Sequence, residues 1–446
     1  MKKNIRSMTI WMYKLVVYYL LYTVFFKMFE SYISSLKHGS RTTIITTLTF
    51  VIVFTLMMFV YENFPIGKQK TKPIVFSMSI AVILSDVITY IQLMVFNTNL
   101  HNNQILRIED VDILFYIVVL QIAIITFSTY LGNWLYFKLY KAEQVLIVKS
   151  TSSDDDTLSK IHRYLSNYNL QYHVLEIIDY PEFSCYDFRL IDRVVCIGIT
   201  SEQRSNLVDF CYRNEISISF TPEITDVVEH AGKQITYGDI PLISVESKGL
   251  SFQQKLLKRI LDLFFSFVGL ILSSPIWIIA AVVIKFGDGG KVFFRQERYT
   301  ANGKIFRVFK FRTMKENVEN YSSIENDDRI TTVGKVLRKT RMDELPQILN
   351  IIKGDMSIVG PRPEMLENVH KYENELPQFN YRLKVKAGLT GIAQIEGKYN
   401  TSPKDKLIMD LMYIENYSIW MDLKLILRTV IVLVKKESTE GFNVES

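Results

Sequence analysis

The chain has 446 residues, 48% of them apolar, and carries a net charge of +6. At roughly 100–200 residues per domain, this length allows two to four structural units. The charge is modest for such a length and no run of basic residues is present, which excludes a typical nucleic-acid-binding protein.

Four long apolar segments occupy the first third of the chain, at residues 8–26, 42–61, 73–96 and 111–137. Each has about 20 residues or more, enough for a helix that crosses the hydrocarbon core of a bilayer. The first segment is too long for a cleaved signal peptide and no small-residue cleavage site follows it. Buried core helices are the alternative. Four such segments in succession favour four transmembrane helices within residues 1–140.

The cations between these segments predict their orientation. Lys and Arg tend to remain on the cytoplasmic side of a membrane. They precede the first segment, separate the second from the third and follow the fourth, at Lys2, Lys3, Arg6, Lys68, Lys70, Lys72, Lys138 and Lys141. Both ends of this bundle are therefore expected in the cytoplasm, although Lys27, Lys37 and Arg41 on the other side oppose the rule.

Residues 141–247 have the pattern of a soluble α/β domain. Strand-like runs at 144–148, 171–178, 193–199 and 216–220 alternate with helical spacing at 157–168 and 202–212. This alternation predicts a parallel, doubly wound, Rossmann-like sheet. The first strand leads into the sequence STSSDDD at 150–156 instead of a Gly-x-Gly-x-x-Gly turn, and three aspartates would repel a pyrophosphate. An interaction or regulatory role is favoured over dinucleotide binding.

The three cysteines all lie in this middle region, at Cys185, Cys196 and Cys211. Their odd number and their spacing are typical neither of a disulfide framework nor of a metal site. They predict ordinary thiols in a reduced cytoplasmic domain.

A fifth apolar run, residues 263–284, follows a linker at 248–254 and begins a C-terminal unit at 255–446. Pro275, directly after Ser274, is expected to kink the helix because proline removes a backbone donor and clashes with the preceding turn. Both flanks of the run are basic, so a helix that crossed the membrane would place one flank on the wrong side. A re-entrant helix that enters one leaflet and returns is favoured over a spanning one, with serine hydroxyls satisfying the freed carbonyls.

The centre of this unit is the sequence Asp343-Glu344-Leu345-Pro346-Gln347. Asp343 is a good helix N-cap, and a plain cap is the ordinary reading of an isolated aspartate at such a place. The helix is expected to bury one apolar face and to end at a glycine; these residues are Leu345, Ile348, Leu349, Ile352 and Gly354.

Several cations accompany this pair of carboxylates. Arg338 and Arg341 precede it, and Lys310 and Arg312 fall on one face of a strand-like segment. Arg362 is held between two prolines, and an arginine on a stiff backbone suits phosphate oxygens. Singly, each is an ordinary surface cation; together they predict a site for a diphosphate.

The set suits phosphoryl transfer. Such a reaction needs neutralised charge around the transferred group and an in-line nucleophile. A carboxylate at a helix N-terminus remains ionised and can attack phosphorus to form an acyl phosphate. Mg²⁺ would bridge the carboxylate and the diphosphate oxygens. Histidine is not expected to take part, because His370 is the only one in this unit.

Residues 255–435 resemble the bacterial sugar transferase family, the monotopic phosphoglycosyl transferases. The resemblance rests on stretches that occur in order: KRILD at 258–262, SP at 274–275, RQER at 295–298, KFRTM at 310–314, LRKT at 337–340, DELPQ at 343–347, GDMSIVGPRP at 354–363 and GLTG at 388–391.

This resemblance implies a reaction and roles for named residues. Asp343 would take the phosphosugar of a UDP-sugar covalently and release UMP, with Glu344 completing the dyad and Mg²⁺ held at Asp343. Four cations would contact phosphate or uridine, namely Lys310, Arg312, Arg338 and Arg362. Ser274 and Pro275 would form the turn of the re-entrant helix.

With four spans and a Rossmann-like domain, the chain resembles the long subgroup that begins capsule, exopolysaccharide or O-antigen units on undecaprenyl phosphate at the bacterial cell membrane. The middle domain of that subgroup is not catalytic. The resemblance favours glucose as the sugar, and it leaves a homo-oligomer and other polysaccharide-assembly proteins open as partners.

The sequence departs from the family pattern at four positions. The family usually has Gly at Thr300, Pro at Ala387, an aromatic residue at Ile392 and Arg at Lys398. None belongs to the dyad, but the last two leave the identity of the sugar open.

Two competing hypotheses are a non-catalytic membrane scaffold and a glycosyltransferase that releases UDP. The complete group of carboxylates and cations argues against a scaffold. The nucleotide that is released, UMP or UDP, distinguishes a glycosyltransferase.

Overall fold

The computed structural model describes residues 2–33, 36–37, 39–100, 108–150, 155–246, 249–315, 327–397 and 401–434. Residues 151–154 of the acidic run and Lys398 lie outside this part. Contacts divide the chain into two compact units, Met1–Thr221 and Pro222–Ser446. The finer division at 1–140, 141–247 and 255–446 stays a prediction.

The first unit begins with four long helices. They are α1 (Lys2–Tyr32), α2 (Arg41–Val60), α3 (Thr71–Leu100) and α4 (Val111–Leu139). Helix α1 packs on α4, and α3 packs on both α2 and α4. All four are long and apolar enough to cross a membrane, as is a fifth helical stretch, Phe252–Gly287. The predicted helical segments are confirmed, and they fit a membrane protein.

A parallel sheet follows in the same unit. Its strands are β1 (Glu143–Lys149), β2 (Tyr172–Asp179), β3 (Arg193–Ile197) and β4 (Ser217–Phe220), in the order β2-β1-β3-β4. Every described pairing in it is parallel. Helices α5 (Asp155–Asn167) and α6 (Ser201–Arg213) connect the strands. The predicted alternation and parallel pairing are confirmed, since apolar residues on both faces of β1 are buried under its neighbours.

Cys196 and Cys211 are free thiols buried in the core of this sheet. Burial raises the pKa of Cys196 to about 12 and that of Cys211 to about 11. Both are therefore ordinary buried thiols that stay protonated at neutral pH, as predicted for them, while the side chain of Cys185 lies outside the described residues.

The second unit contains α7 (Ile224–His230) and the hairpin β5–β6 (Lys233–Tyr237 and Ile240–Ser244) before the long helix α8 (Phe252–Asp288). An antiparallel pair, β7 (Phe293–Tyr299) and β8 (Ile305–Phe311), follows. The remaining elements are α9 (Thr332–Lys339), α10 (Gln347–Lys353), β9 (Ser357–Val359), α11 (Leu366–Glu375), β10 (Gly388–Thr390), α12 (Ile392–Ile395), α13 (Pro403–Glu415) and α14 (Ile419–Val434). Strands β9 and β10 pair in parallel.

Helix α8 is continuous through Pro275, so a break into two separate helices is wrong, whereas the predicted kink at Pro275 stays a prediction. Proline leaves the carbonyl four residues earlier, that of Ile271, without its helical donor. The hydroxyl of Ser274 donates to this carbonyl at 2.8 Å. The serine thus replaces the missing N–H, which allows the helix to continue. A re-entrant path for this helix stays a prediction.

The first turns of α8 hold the second unit together. Lys258 forms a buried ion pair with Asp422 of α14 at 2.8 Å. Arg259 donates to the carbonyls of Ile351 and Ile352, at 2.6 and 2.7 Å, and so satisfies the C-terminal end of α10. Asp262 accepts from the Ser357 hydroxyl at 2.8 Å. These contacts place α10 beside α8.

Helix α14 packs into the core rather than lying apart from it. Leu425 is buried in a cluster with residues of α13. Arg428 pairs with Glu396 at 2.7 Å, and the Thr429 and Thr390 hydroxyls are 2.7 Å apart. An apolar helix at this place could either close the core of the second unit or lie on the membrane interface, and these contacts support the first role.

Candidate functional site

The backbone around Asp343 forms a 3₁₀ turn between two helices. Helix α9 ends at Lys339, Arg341 adopts a left-handed conformation with φ of 54°, and the turn spans Met342–Glu344. Helix α10 begins only at Gln347, with Pro346 at its N-cap position. The prediction that Asp343 caps the helix is therefore wrong.

The 3₁₀ turn explains why no cap is needed. The amide of Ile348 donates to the Leu345 carbonyl and that of Leu349 to the Pro346 carbonyl, so backbone groups satisfy the start of α10. The Asp343 carboxylate remains available for other contacts. The helix ends at Gly354, with φ of 95°, as predicted. Its buried face is Ile348 and Ile351; the predicted burial of Leu349 is wrong, since it is 37% exposed.

Glu344 is fixed by two cations. Its Oε1 atom accepts from Lys310 Nζ at 2.8 Å and from Arg362 at 3.0 Å. Burial alone would raise the pKa of Glu344, but Arg362 and Lys310 outweigh it and hold the pKa well below its usual range. Glu344 is therefore an ionised anchor that orients both cations.

Asp343 has different surroundings. Within the described part of the chain, no hydrogen bond reaches its carboxylate. Burial raises its pKa from 3.8 to about 6; Lys310 opposes this shift, and the neighbouring Glu344 carboxylate adds to it. The dyad thus consists of one carboxylate committed to ion pairs and one held free and poorly solvated, which are the properties of a nucleophile.

The other two predicted cations, Arg338 and Arg312, have no described hydrogen bond to the dyad. Arg338 Nε donates to the Thr313 hydroxyl at 2.8 Å, and its charge lowers the pKa of Asp343. Helix α9 approaches Thr313 closely at Gly334, where a Cβ atom would lie 2.0 Å from the Thr313 carbonyl oxygen. Arg312 is 7% exposed, and its amide donates to the Val292 carbonyl. Substrate contact by Arg312 stays a prediction.

The backbone at Arg362 is held from both sides. Arg382 donates to the Arg362 carbonyl at 2.9 Å and pairs with Asp410 at 2.8 Å, and both partners of that pair are buried. The Gly388 amide donates to the Pro361 carbonyl, and a Cβ atom on Gly388 would lie 2.1 Å from the Gly360 nitrogen. The stiff arginine that the two prolines predict is therefore also anchored by tertiary contacts.

Sequence reasoning missed Arg298 as a member of the site. It lies on β7, donates to the Pro363 carbonyl at 3.3 Å, and burial together with the charge of Arg362 lowers its pKa to about 10. Its Nε atom is buried without a partner among the described residues. The RQER motif contains it, but nothing in the pattern distinguishes it from Arg295.

Two departures from the family pattern compensate each other. The Thr300 hydroxyl donates to the Asp355 carbonyl at 2.9 Å and accepts from the Ala387 amide at 3.2 Å. The residues usual at these positions, glycine and proline, offer neither the hydroxyl nor the N–H. The pair is therefore a local exchange that leaves the dyad unchanged.

Asp343 is the residue best suited to hold a metal. Among the described residues, no group of three or more His, Cys, Asp or Glu side chains forms an all-protein cage. Mg²⁺ commonly uses one or two carboxylates together with substrate phosphates. The free Asp343 carboxylate beside the cations fits that mode of binding, whereas Glu344 Oε1 already accepts from two cations.

Comparison with known proteins identifies a family. The profile of the bacterial sugar transferase family matches residues 253–436. The galactosyl transferase CpsE of Streptococcus agalactiae serotype III (strain NEM316) is 31% identical over 351 residues, which are 69% of this chain and 76% of the relative.

Two further relatives match a shorter part of the chain. The UDP-glucose:undecaprenyl-phosphate glucose-1-phosphate transferase of Escherichia coli (strain K12) is 40% identical over 43% of each chain. The UDP-N-acetylgalactosamine-undecaprenyl-phosphate N-acetylgalactosaminephosphotransferase of Aeromonas hydrophila is 39% identical over 39% of this chain and 43% of the relative. The chain thus spans less than half the length of these two. The family profile and the long match to CpsE show that this chain belongs to the bacterial sugar transferase family.

Proposed function

We propose that this chain transfers hexose-1-phosphate from a UDP-sugar to undecaprenyl phosphate, releasing UMP through a covalent intermediate on Asp343. The observation that carries the proposal is the asymmetry of the dyad. Glu344 is bound by Lys310 and Arg362, whereas the half-buried Asp343 carboxylate keeps its oxygens free. Relatives named for this reaction with glucose support glucose as the sugar.

In the first half-reaction, a carboxylate oxygen of Asp343 attacks the β-phosphorus of the UDP-sugar. The bond between that phosphorus and the oxygen bridging to the α-phosphorus breaks, and UMP leaves with the electron pair. The charges of Lys310, Arg338 and Arg362 lower the pKa of Asp343, and we expect the same charges to offset the negative charge that develops on the phosphate oxygens.

In the second half-reaction, a phosphate oxygen of undecaprenyl phosphate attacks the same phosphorus. The bond to the Asp343 oxygen breaks and the free carboxylate returns. Glu344 stays ionised throughout and holds Lys310 and Arg362 in place, because the two cations keep its pKa low. Double displacement predicts ping-pong kinetics.

Two further groups complete this proposal. Arg298 is proposed to add positive charge beside the diphosphate, because its charge and that of Arg362 already influence each other. Mg²⁺, bound at Asp343 and the diphosphate, would supply charge neutralisation. Arg312 is proposed as a phosphate or uridine contact. Ser274 and Pro275 would mark the turn of a re-entrant α8 that brings the site to the membrane surface.

The cellular role follows from the same proposal. The product would begin a capsular, exopolysaccharide or O-antigen repeat unit at the bacterial cell membrane, with the catalytic unit in the cytoplasm. Relatives named as exopolysaccharide production proteins support this role. The Rossmann-like domain would be non-catalytic. A second copy of the chain or other polysaccharide-assembly proteins would be the partners of the whole protein.

The test measures the leaving nucleotide. Membranes containing the full chain would be incubated with undecaprenyl phosphate, Mg²⁺ and a panel of UDP-sugars, and UMP would be quantified separately from UDP. We expect UMP release with one sugar, its loss in Asp343→Asn, and its retention in the exposed control Asp239→Asn. UDP release would instead indicate a glycosyltransferase, and no release with any donor would favour the scaffold hypothesis.

A further inference from the structure

A cleft in the first unit has no part in the proposed chemistry. It has a volume of about 670 Å³ and lies where the start of α3, the last turns of α4 and the turn between α5 and β2 meet. Two lysines and several apolar side chains line it, namely Lys70, Lys138, Trp134, Phe137, Tyr168 and Leu170.

One side of the cleft is built by a buried asparagine. Asn133 Oδ1 accepts from the Gly67 amide and its Nδ2 donates to the Thr71 hydroxyl, both at 2.9 Å. Asn133 is only 8% exposed. These bonds fix the α2–α3 loop against α4, so the position of Lys70 relative to α4 is set by the protein.

The cationic groups in the cleft are available to a ligand. Lys70 Nζ lies 5.5 Å from the centre of the Tyr168 ring, and Lys138 Nζ lies 4.9 Å from that of Trp134. Within the described part of the chain, neither lysine pairs with a carboxylate. An unneutralised pair of ammonium groups attracts an anion.

The location and the walls of the cleft indicate what the anion is. The apolar spans of α3 and α4 end here, so the cleft lies at the level of the lipid headgroups. Trp134, Phe137 and Leu170 form an apolar wall that a free phosphate would not use. We propose that the cleft binds the headgroup of an anionic glycerophospholipid, with its phosphate at Lys70 and Lys138 and its glycerol and first methylenes against the apolar wall.

The test is lipid titration of the full chain in detergent, followed by native mass spectrometry. Phosphatidylglycerol and phosphatidylcholine with the same acyl chains are compared on the wild type. We expect one phosphatidylglycerol to bind at least about tenfold more tightly. Lys70→Gln with Lys138→Gln should weaken it about thirtyfold, because each cation near a membrane surface contributes on the order of fivefold in affinity.

Matched variants separate a built site from diffuse charge. Lys68→Gln with Lys72→Gln removes two positive charges on either side of Lys70 but leaves the lining of the cleft intact, and should bind like the wild type. Lys70→Arg with Lys138→Arg should also retain binding, which shows that loss in the Gln variant is not misfolding. Equal binding of the two lipids, or equal weakening in the Lys68/Lys72 variant, would overturn the proposal.

Two competing anions are included as separate arms. Undecaprenyl phosphate and inorganic phosphate are each tested for displacement of bound phosphatidylglycerol. If neither anion displaces phosphatidylglycerol at equal concentration, the result supports a glycerophospholipid site. Displacement by either one at equal or lower concentration would overturn it in favour of an acceptor-lipid site or a free-phosphate site. Lipid binding is measured without UMP release, so the proposed lipid site and the proposed transferase activity can be refuted independently.

Discussion

Asp343 and Glu344 are neighbours in the chain, yet their surroundings give them different chemistry. Glu344 accepts from Lys310 and Arg362, and these cations keep its pKa low. Asp343 accepts no hydrogen bond among the described residues, and burial raises its pKa to about 6. The sequence predicts the two carboxylates and the cations around them. It does not reveal that Asp343 is free rather than a helix cap, because this depends on a 3₁₀ turn that local propensity does not predict.

The raised pKa of Asp343 predicts the pH dependence of catalysis. The nucleophile is the ionised form, so activity is present above the folded-state pKa and is lost as the pH falls through about 6. We expect kcat/KM for the UDP-sugar to rise about tenfold per pH unit below 6 and to level off above 7. Initial rates between pH 5 and 8.5 measure this. A profile that is flat across that range would contradict a free, poorly solvated carboxylate.

The raised pKa of Asp343 also affects the stability of the fold, and this effect serves as a control that Asp343→Asn is folded. Because the folded pKa exceeds the unfolded value of 3.8, ionised Asp343 destabilises the fold increasingly as the pH rises from about 4 through about 6. Asp343→Asn removes this penalty. It should therefore abolish turnover while raising Tm more at pH 8 than at pH 5; a lower Tm at pH 8 would indicate a damaged fold instead.

Thr300 and Ala387 allow a second prediction for individual residues. Thr300→Gly leaves the buried Ala387 amide without its acceptor, which should destabilise the protein by about 1–3 kcal/mol. Ala387→Pro removes the donor, and when it is combined with Thr300→Gly this removal should recover part of the loss. A double-mutant cycle of unfolding free energies measures the coupling. Additive effects would show that the hydrogen bond is not the link between these two departures.

Helix α8 shows what the sequence predicts of an element and what it does not. The apolar length, Pro275 and the serine donors are all readable, and a serine does satisfy the freed carbonyl. The continuity of the helix is not readable, because it depends on whether Ser274 reaches Ile271 rather than solvent or another chain segment. Nor does periodicity reveal that Arg259 satisfies the end of α10, since that contact spans more than 90 residues.

The Ser274 hydroxyl is expected to be needed only because Pro275 is present. Ser274→Ala leaves the Ile271 carbonyl without a donor and should destabilise the full chain by about 1 kcal/mol in a bilayer nanodisc. In a Pro275→Ala background the backbone amide returns, and the same serine substitution should have little effect. Thermal unfolding of the four proteins measures this. An equal effect of Ser274→Ala in both backgrounds would show that the hydroxyl does not replace the missing amide.

For the whole molecule, patterns of residues predict the order of the parts well. The four N-terminal helices, the parallel sheet and the catalytic unit follow the hydropathy and the periodicity of the sequence. The support of the Arg362 loop by Arg382 and Asp410 could not be predicted, because two buried charges far apart in the chain meet only in the folded unit. Family motifs identify the site, whereas the structure shows how its groups are held.

The central claim, that Asp343 carries the phosphosugar, is tested most directly in the absence of the acceptor lipid. The purified full chain would be mixed with the UDP-sugar that supports UMP release, together with Mg²⁺, quenched, and its peptides examined by mass spectrometry. We expect a burst of UMP stoichiometric with active enzyme and one hexose phosphate attached to Asp343. UMP release that requires undecaprenyl phosphate, with no adduct on Asp343, would contradict the covalent mechanism.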